Sequence, residues 1–229
     1  MYNTHDAGGE ARPAAQGRSG SAEGAGTTKQ FNILVLVSGG GTNLQSLIDA
    51  QIRGEFGQGR IAAVLSDREG VYALERAKAS GIPSFVEKPD RSLPKPERRR
   101  ELSDRILRLC RTMQIALIVH AGFLSILAGD IIEEYAGKMI NIHPALLPDF
   151  GGQGMYGEHV HKAVLAAGVT ESGCTAHLAD AGIDSGPIIL QRKVPVLPGD
   201  TPESLAARVL EEEHIAIVEA VKIMIERAK

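Results

Sequence analysis

Asn141 and His143 stand two residues apart in the stretch KMINIHPALLP, residues 138–148. In an extended chain that spacing turns an amide and an imidazole to the same face, where both can hydrogen-bond into one space. Met139, Ile140 and Ile142 around them read as a buried strand. Pro144 holds His143 extended and Pro148 keeps a long helix from starting, so the pair is expected at the carboxyl end of a strand. Open α/β sheets bind their ligands there. On its own the pair also fits a plainer account, with Asn141 capping a turn and His143 an ordinary buried histidine.

A second group with chemical potential is Ser38-Gly39-Gly40-Gly41-Thr42-Asn43. It follows the apolar run FNILVLV and precedes LQSLIDA, whose spacing is helical. Strand, glycine loop and helix in that order make an anion site, because glycines let backbone amides approach and the helix start adds partial positive charge. A phosphate fits on Gly41, Thr42 and Asn43; a simple tight turn is the competing reading. The loop lacks the Gly-Lys-Ser/Thr of a Walker loop and the third glycine of the dinucleotide fingerprint. The third candidate, Asp184, lies in the tight segment AGIDSGP (181–187), where an Asx turn would also explain it.

The elements that must position these groups alternate. Strands are expected at 31–37, 60–67, 82–87, 114–123, around 139–143, 172–180 and 188–196, and helices over 44–50, 71–81, 94–113, from about 160 and 201–226. Strands alternating with helices imply an α/β fold with a mostly parallel, open twisted sheet and helices on both faces. In the last helix Thr201 reads as the cap and Pro202 as the first helical residue, while Glu213 and His214 read as an exposed surface pair. His120 reads as structural, His177 is open between packing and function, and His159 and His161 point apart on a helix, a poor metal pair. The stretch GGQGMYG (151–157) suits a mobile lid beyond His143, Arg98-Arg99-Arg100 a solvated face with one arginine able to reach an anion, and 121–127 a flat hydrophobic ligand, although core packing alone explains that segment nearly as well.

With 229 residues the chain has room for one sizeable domain, expected over 30–229. Residues 1–29, rich in Gly, Ala and Ser without apolar period, read as a disordered tail. A net charge of −3 gives no global pull towards nucleic acid or membrane, and no window is apolar enough to span a bilayer. Cys110 and Cys174, far apart and outside any metal spacing, read as buried free thiols and suit a reducing, cytoplasmic setting.

The segments VSGGGTNLQ, HAGFLSIL, INIHPALLP, GIDSGPIILQ and EEEH together resemble the folate-dependent glycinamide ribonucleotide formyltransferases, from about Phe31 onward. The resemblance implies a Rossmann-like formyltransferase fold, 10-formyltetrahydrofolate as co-substrate, small-molecule partners only and no metal. It implies Asn141, His143 and Asp184 as catalytic residues, and Gly41, Thr42, Asn43 and Glu213 as contacts to the phosphorylated amine. For the folate it implies Arg100 (or Arg99, one register step away), Leu124, Ser125, Ile126, Leu127 and Asn141, with the loop Asp180, Ala181, Gly182, Ile183 and Asp184. Ser125 stands where some relatives carry arginine. Related tRNA-formylating enzymes and formyltetrahydrofolate deformylases carry an additional domain, for which the chain as given is expected to have no counterpart. Oligomeric state is left open.

Overall fold

A computed structural model describes residues 30–229; the expected tail 1–29 lies outside the described residues. Seven strands are present among them: β1 Phe31–Val37, β2 Gly59–Ser66, β3 Ser84–Val86, β4 Ile115–His120, β5 Met139–His143, β6 Glu171–Leu178 and β7 Ile188–Pro195. Helices α1 Thr42–Ile52, α2 Tyr72–Ala79, α3 Lys95–Thr112, α4 Asp130–Glu134, α5 Glu158–Ala166 and α6 Pro202–Arg227 connect or flank them. The sheet order is β3-β2-β1-β4-β5-β6-β7. The first five pair in parallel, and β6 and β7 complete the sheet antiparallel. The mostly parallel α/β sheet expected from the alternation is therefore present, with β1 and β4 adjacent where the strand order reverses.

Period 2 sorts the strand residues into two cores. Ile33, Val35, Val37, Val119, Ile140, Ile142 and Ala176 face α1, α5 and α6, whereas Leu34, Leu36, Ile118 and Met139 face α3 and α4. The short α4 is not legible in the sequence, because one turn and a half carries too little apolar period to register. The fourth strand ends at His120 rather than near 123: Gly122 takes a positive φ and the chain leaves the sheet, which frees Leu124–Leu127 to line a cleft. Helix α6 starts as expected at Thr201, whose side chain accepts from Ser204 N–H while the Ser204 hydroxyl accepts from Thr201 N–H.

On the face carrying α3 a gap remains beside that helix. The register pairs His120 with Asn141 and Asn141 with His177, so three polar side chains form a row across β4, β5 and β6. Strand β6 runs antiparallel to β5, and its carboxyl end, Leu178, lies beside Ile140. The loop that follows returns across the row and delivers Asp184 to it.

Candidate active site

Asp184 adopts φ 56°, and its carboxylate sits among three side chains and one backbone amide. Oδ2 accepts from Gly152 N–H at 3.0 Å and lies 3.5 Å from His143 Nδ1. Oδ1 is 3.4 Å from Asn141 Nδ2 and 3.6 Å from His177 Nε2. The Asn-x-His pair and the distant aspartate are thus brought together at the carboxyl end of β5. The turn-cap reading of Asn141 is set aside, since its amide donates to His177 Nε2 at 3.1 Å.

Backbone carbonyls assign the imidazole protons. His143 Nε2–H donates to Phe150 O at 2.8 Å, so in the neutral ring Nδ1 presents a lone pair towards Asp184. His177 Nδ1–H donates to Leu178 O at 2.9 Å, leaving Nε2 to accept from Asn141. His177 therefore orients the amide of Asn141. Its alternation in SGCTAHLAD placed it on one face of a strand, but only the cross-strand register shows that this face is the one carrying Asn141.

Burial, rather than the neighbouring Asp184, decides the direction of the His143 pKa. Burial holds this imidazole below the ordinary histidine value and outweighs the upward pulls of Asp184 and the Phe150 carbonyl. Asp184 is itself partly buried, which pushes its pKa up, but His177 and His143 beside it and the Gly152 amide together hold it below the usual carboxylate value. Burial also lowers His161, and pushes His120 down to about 4. Because these folded-state values lie below those of the unfolded chain, the unfolded state binds more protons as pH falls. Stability is then fully present above about pH 6.5 and lost between there and about pH 4, by on the order of 3 kcal/mol from His120 alone. Denaturant titrations across that range are expected to show the decline; a flat profile would contradict the burial of these rings.

A cleft of about 1370 Å³ opens over the row. One wall carries Leu124, Ser125, Ile126 and Leu127, and another Asp180, Gly182, Ile183 and Asp184. Ala181 is not on the wall: Asp180 Oδ1 accepts from Gly182 N–H and Ser185 Oγ–H, and this tight turn leaves Ala181 exposed. Arg99 and Arg100 both line the cleft, together with Arg68 and Lys95, which sequence reasoning passed over. Ser125 Oγ donates to Asp67 Oδ2 at 2.7 Å. Residues 152–157 of the glycine-rich stretch line the opening, and His161 is buried against it while His159 packs edge-on to Tyr156.

At the amino end of α1 the glycine loop has the backbone an anion site needs. Gly41 has φ 73°, and a Cβ there would stand 2.6 Å from Ala73 Cβ and 2.9 Å from Ala73 Cα, so no other residue fits. Gly41 and Thr42 lie outside the cleft wall, whereas Asn43 is on it. The Asn43 amide donates to Glu213 Oε2 at 2.8 Å, and its own Oδ1 is buried without a partner in the protein. The surface-pair reading of Glu213 is therefore corrected: burial raises its pKa, the Asn43 bond opposes that rise, and the carboxyl faces the cleft. Among the described residues no cluster of three or more His, Cys, Asp or Glu side chains is grouped for a metal ion.

Fold and site define a doubly wound α/β protein with a polar trio and a glycine-loop helix start around one cleft at the carboxyl ends of its parallel strands. The chain belongs to the formyl transferase family, whose model matches residues 31–221. It is 42% identical over 199 residues to the trifunctional purine biosynthetic protein adenosine-3 of Drosophila pseudoobscura pseudoobscura, covering 84% of this chain but 14% of that protein. To the phosphoribosylglycinamide formyltransferase of Haemophilus influenzae it is 39% identical over 183 residues, 80% of this chain and 81% of the relative. The crystal structure of glycinamide ribonucleotide transformylase 1 from Symbiobacterium toebii superposes with a TM-score of 0.78 at 37% identity, covering 86% of this chain and 89% of that one.

Proposed function

We propose that this protein transfers the formyl group of 10-formyltetrahydrofolate to the primary amine of phosphoribosylglycinamide, a step of purine synthesis. The convergence of Asn141, at 3.4 Å, and His143, at 3.5 Å, on the Asp184 carboxylate carries the reading. The names of the relatives and the family support it.

In this reading the amine attacks the formyl carbon, the new C–N bond forms, and negative charge gathers on the formyl oxygen. Asn141 turns its amide from His177 to that oxygen, and His143 donates a second bond when protonated. The bond from the carbon to the folate nitrogen then breaks. One proton leaves the attacking nitrogen and one reaches the departing nitrogen, with the Asp184 carboxylate and a water as relay. Neither a metal nor a covalent enzyme intermediate takes part. Mixing protein, phosphoribosylglycinamide and 10-formyltetrahydrofolate is expected to change folate absorbance as the formyl group leaves; binding of both compounds without that change would overturn the reading.

The phosphorylated amine sits with its phosphate on the amides of Gly41, Thr42 and Asn43 and its amine end near Glu213. Alanine at Thr42 or Asn43 is expected to raise KM for this substrate several-fold and leave folate affinity alone. An equal change for both ligands would contradict the placement. The folate takes the wall Leu124–Leu127, the 180–184 loop and the arginines Arg99 and Arg100. Residues 151–157 close over it as a lid: amide exchange at Met155 to Gly157 is expected to slow when folate binds, and unchanged exchange would remove the lid.

No helix among the described residues is long and apolar enough to cross a membrane. Cys110 and Cys174 are free and buried, burial pushing both thiols up to about 12, which suits a reducing compartment such as the cytoplasm.

A further inference from the structure

We infer that Arg76 is a positioning residue of the glycine loop: from α2 it holds the loop so that amides rather than carbonyls face the substrate's phosphate, and it sets a positive charge behind them. The inference rests on the proposed function and goes beyond it in naming a residue outside both the loop and the cleft wall.

A trans peptide unit points its C=O and N–H in opposite directions, so fixing a carbonyl also fixes the amide that follows it. Three successive carbonyls of the loop are fixed, and all its peptide bonds are trans. Gly39 O accepts from Ala73 N–H at 3.2 Å, Gly40 O from Arg76 Nε–H at 2.8 Å, and Gly41 O from Gln45 N–H at 2.9 Å. The amides of Gly40, Gly41 and Thr42 are therefore turned away from α2 and the helix interior, as a row of donors ending at the start of α1. Two of the three holds are made by backbone amides. The one on Gly40, which orients the Gly41 amide, depends on the side chain at position 76.

That side chain is itself fixed. Its Nη1 donates to Gln45 Oε1 at 3.0 Å, its guanidinium lies 4.8 Å from the centre of the Tyr72 ring, and its Cδ lies 3.5 Å from where a Cβ on Gly41 would stand. These partners are a carbonyl, an amide oxygen and a ring face, so none of them cancels the charge. Its effect is felt beyond the loop: after burial, the charge of Arg76 lowers the pKa of His214, next to Glu213 on α6, against the upward pull of Glu211. A phosphate on the row of amides gains from this charge without touching it, whereas a neutral ligand gains nothing.

The test uses the full chain with Arg76→Met and Arg76→Lys. Methionine keeps an unbranched stem without donor or charge, and lysine restores both but not the planar fork. For Arg76→Met, KM for phosphoribosylglycinamide and the inhibition constant of inorganic phosphate competing with it are each expected to rise about tenfold. The values of kcat and of KM for 10-formyltetrahydrofolate should stay within about twofold of wild type. Arg76→Lys should bring both raised constants back to within about threefold. Inorganic phosphate should also raise the Tm of the wild type, a readout that needs no turnover, and raise it less in the methionine variant. An unchanged phosphate constant in that variant, an equal rise in KM for both substrates, or a lysine variant as impaired as the methionine one would each overturn the inference. So would a wild type whose Tm is indifferent to phosphate, or a methionine variant that fails to fold. A wild type that transfers no formyl group, yet shows the phosphate-dependent rise in Tm and its reduction in the methionine variant, overturns the proposed function alone, so the two failures are distinguishable.

Discussion

Asp184→Asn is expected to lower turnover by about two orders of magnitude or more while changing either KM by less than about threefold. The substitution keeps the shape of the side chain and an oxygen able to accept from Gly152 N–H, the 3.0 Å contact that ties the loop to the glycine-rich stretch. What it removes is the charge, held ionised by His177, His143 and Gly152 against the opposing effect of burial. Without it the proton relay proposed between attacking and departing nitrogen is gone, and His143 loses the one charge that pulls its pKa up. A hundredfold loss corresponds to about 2.7 kcal/mol of transition-state stabilisation, within the range of a single acid–base group. Steady-state kinetics with both substrates, together with direct measurement of folate affinity, provide the check. Near-wild-type turnover would take Asp184 out of the chemistry.

Gly186→Ala is expected to be nearly as damaging, through position rather than chemistry. A Cβ on this buried glycine would stand 1.9 Å from the carbonyl oxygen of Leu178 and 2.9 Å from its carbon, which are backbone atoms at the end of β6 and cannot rotate aside. Pro187 O accepts from Leu178 N–H at 2.8 Å, so the strand end and the loop base are pinned together at the same spot. The loop must therefore shift, and with it Asp184. Overpacking of this kind costs about 1–3 kcal/mol, and a displacement of about 1 Å at a reacting group costs roughly a hundredfold in rate. The expected outcome is a lower Tm and a kcat reduced by one to two orders of magnitude, with KM for the phosphorylated substrate little changed. Unaltered Tm and kcat would show that the loop has room the structure does not provide.

How much could be read beforehand depends on the range over which each feature is encoded. Asn141 and His143 share a face because a pleat repeats every second residue, and Gly41 marks a helix start because only glycine fits its φ of 73° beside Ala73. Both are consequences of a few neighbouring residues, so they were legible, as was the alternation of strands and helices that builds the parallel part of the sheet. The limits of β4 and the existence of α4 were not, since short segments leave little period to read.

Local sequence supplies the groups offered to the cleft: the Asn-x-His pair, the glycine loop and an aspartate on a tight turn. Tertiary structure alone decided how they act together. Antiparallel β6 and its returning loop carry Asp184 to His143, and strand register sets His177 against Asn141. The Asn43 bond to Glu213 joins residues 170 positions apart and turns an apparent surface carboxylate into a wall of the cleft. Burial, a property of the whole packed fold, leaves His143 below rather than above its ordinary pKa. Contacts and desolvation of this kind arise only when distant segments meet, and no local pattern encodes them.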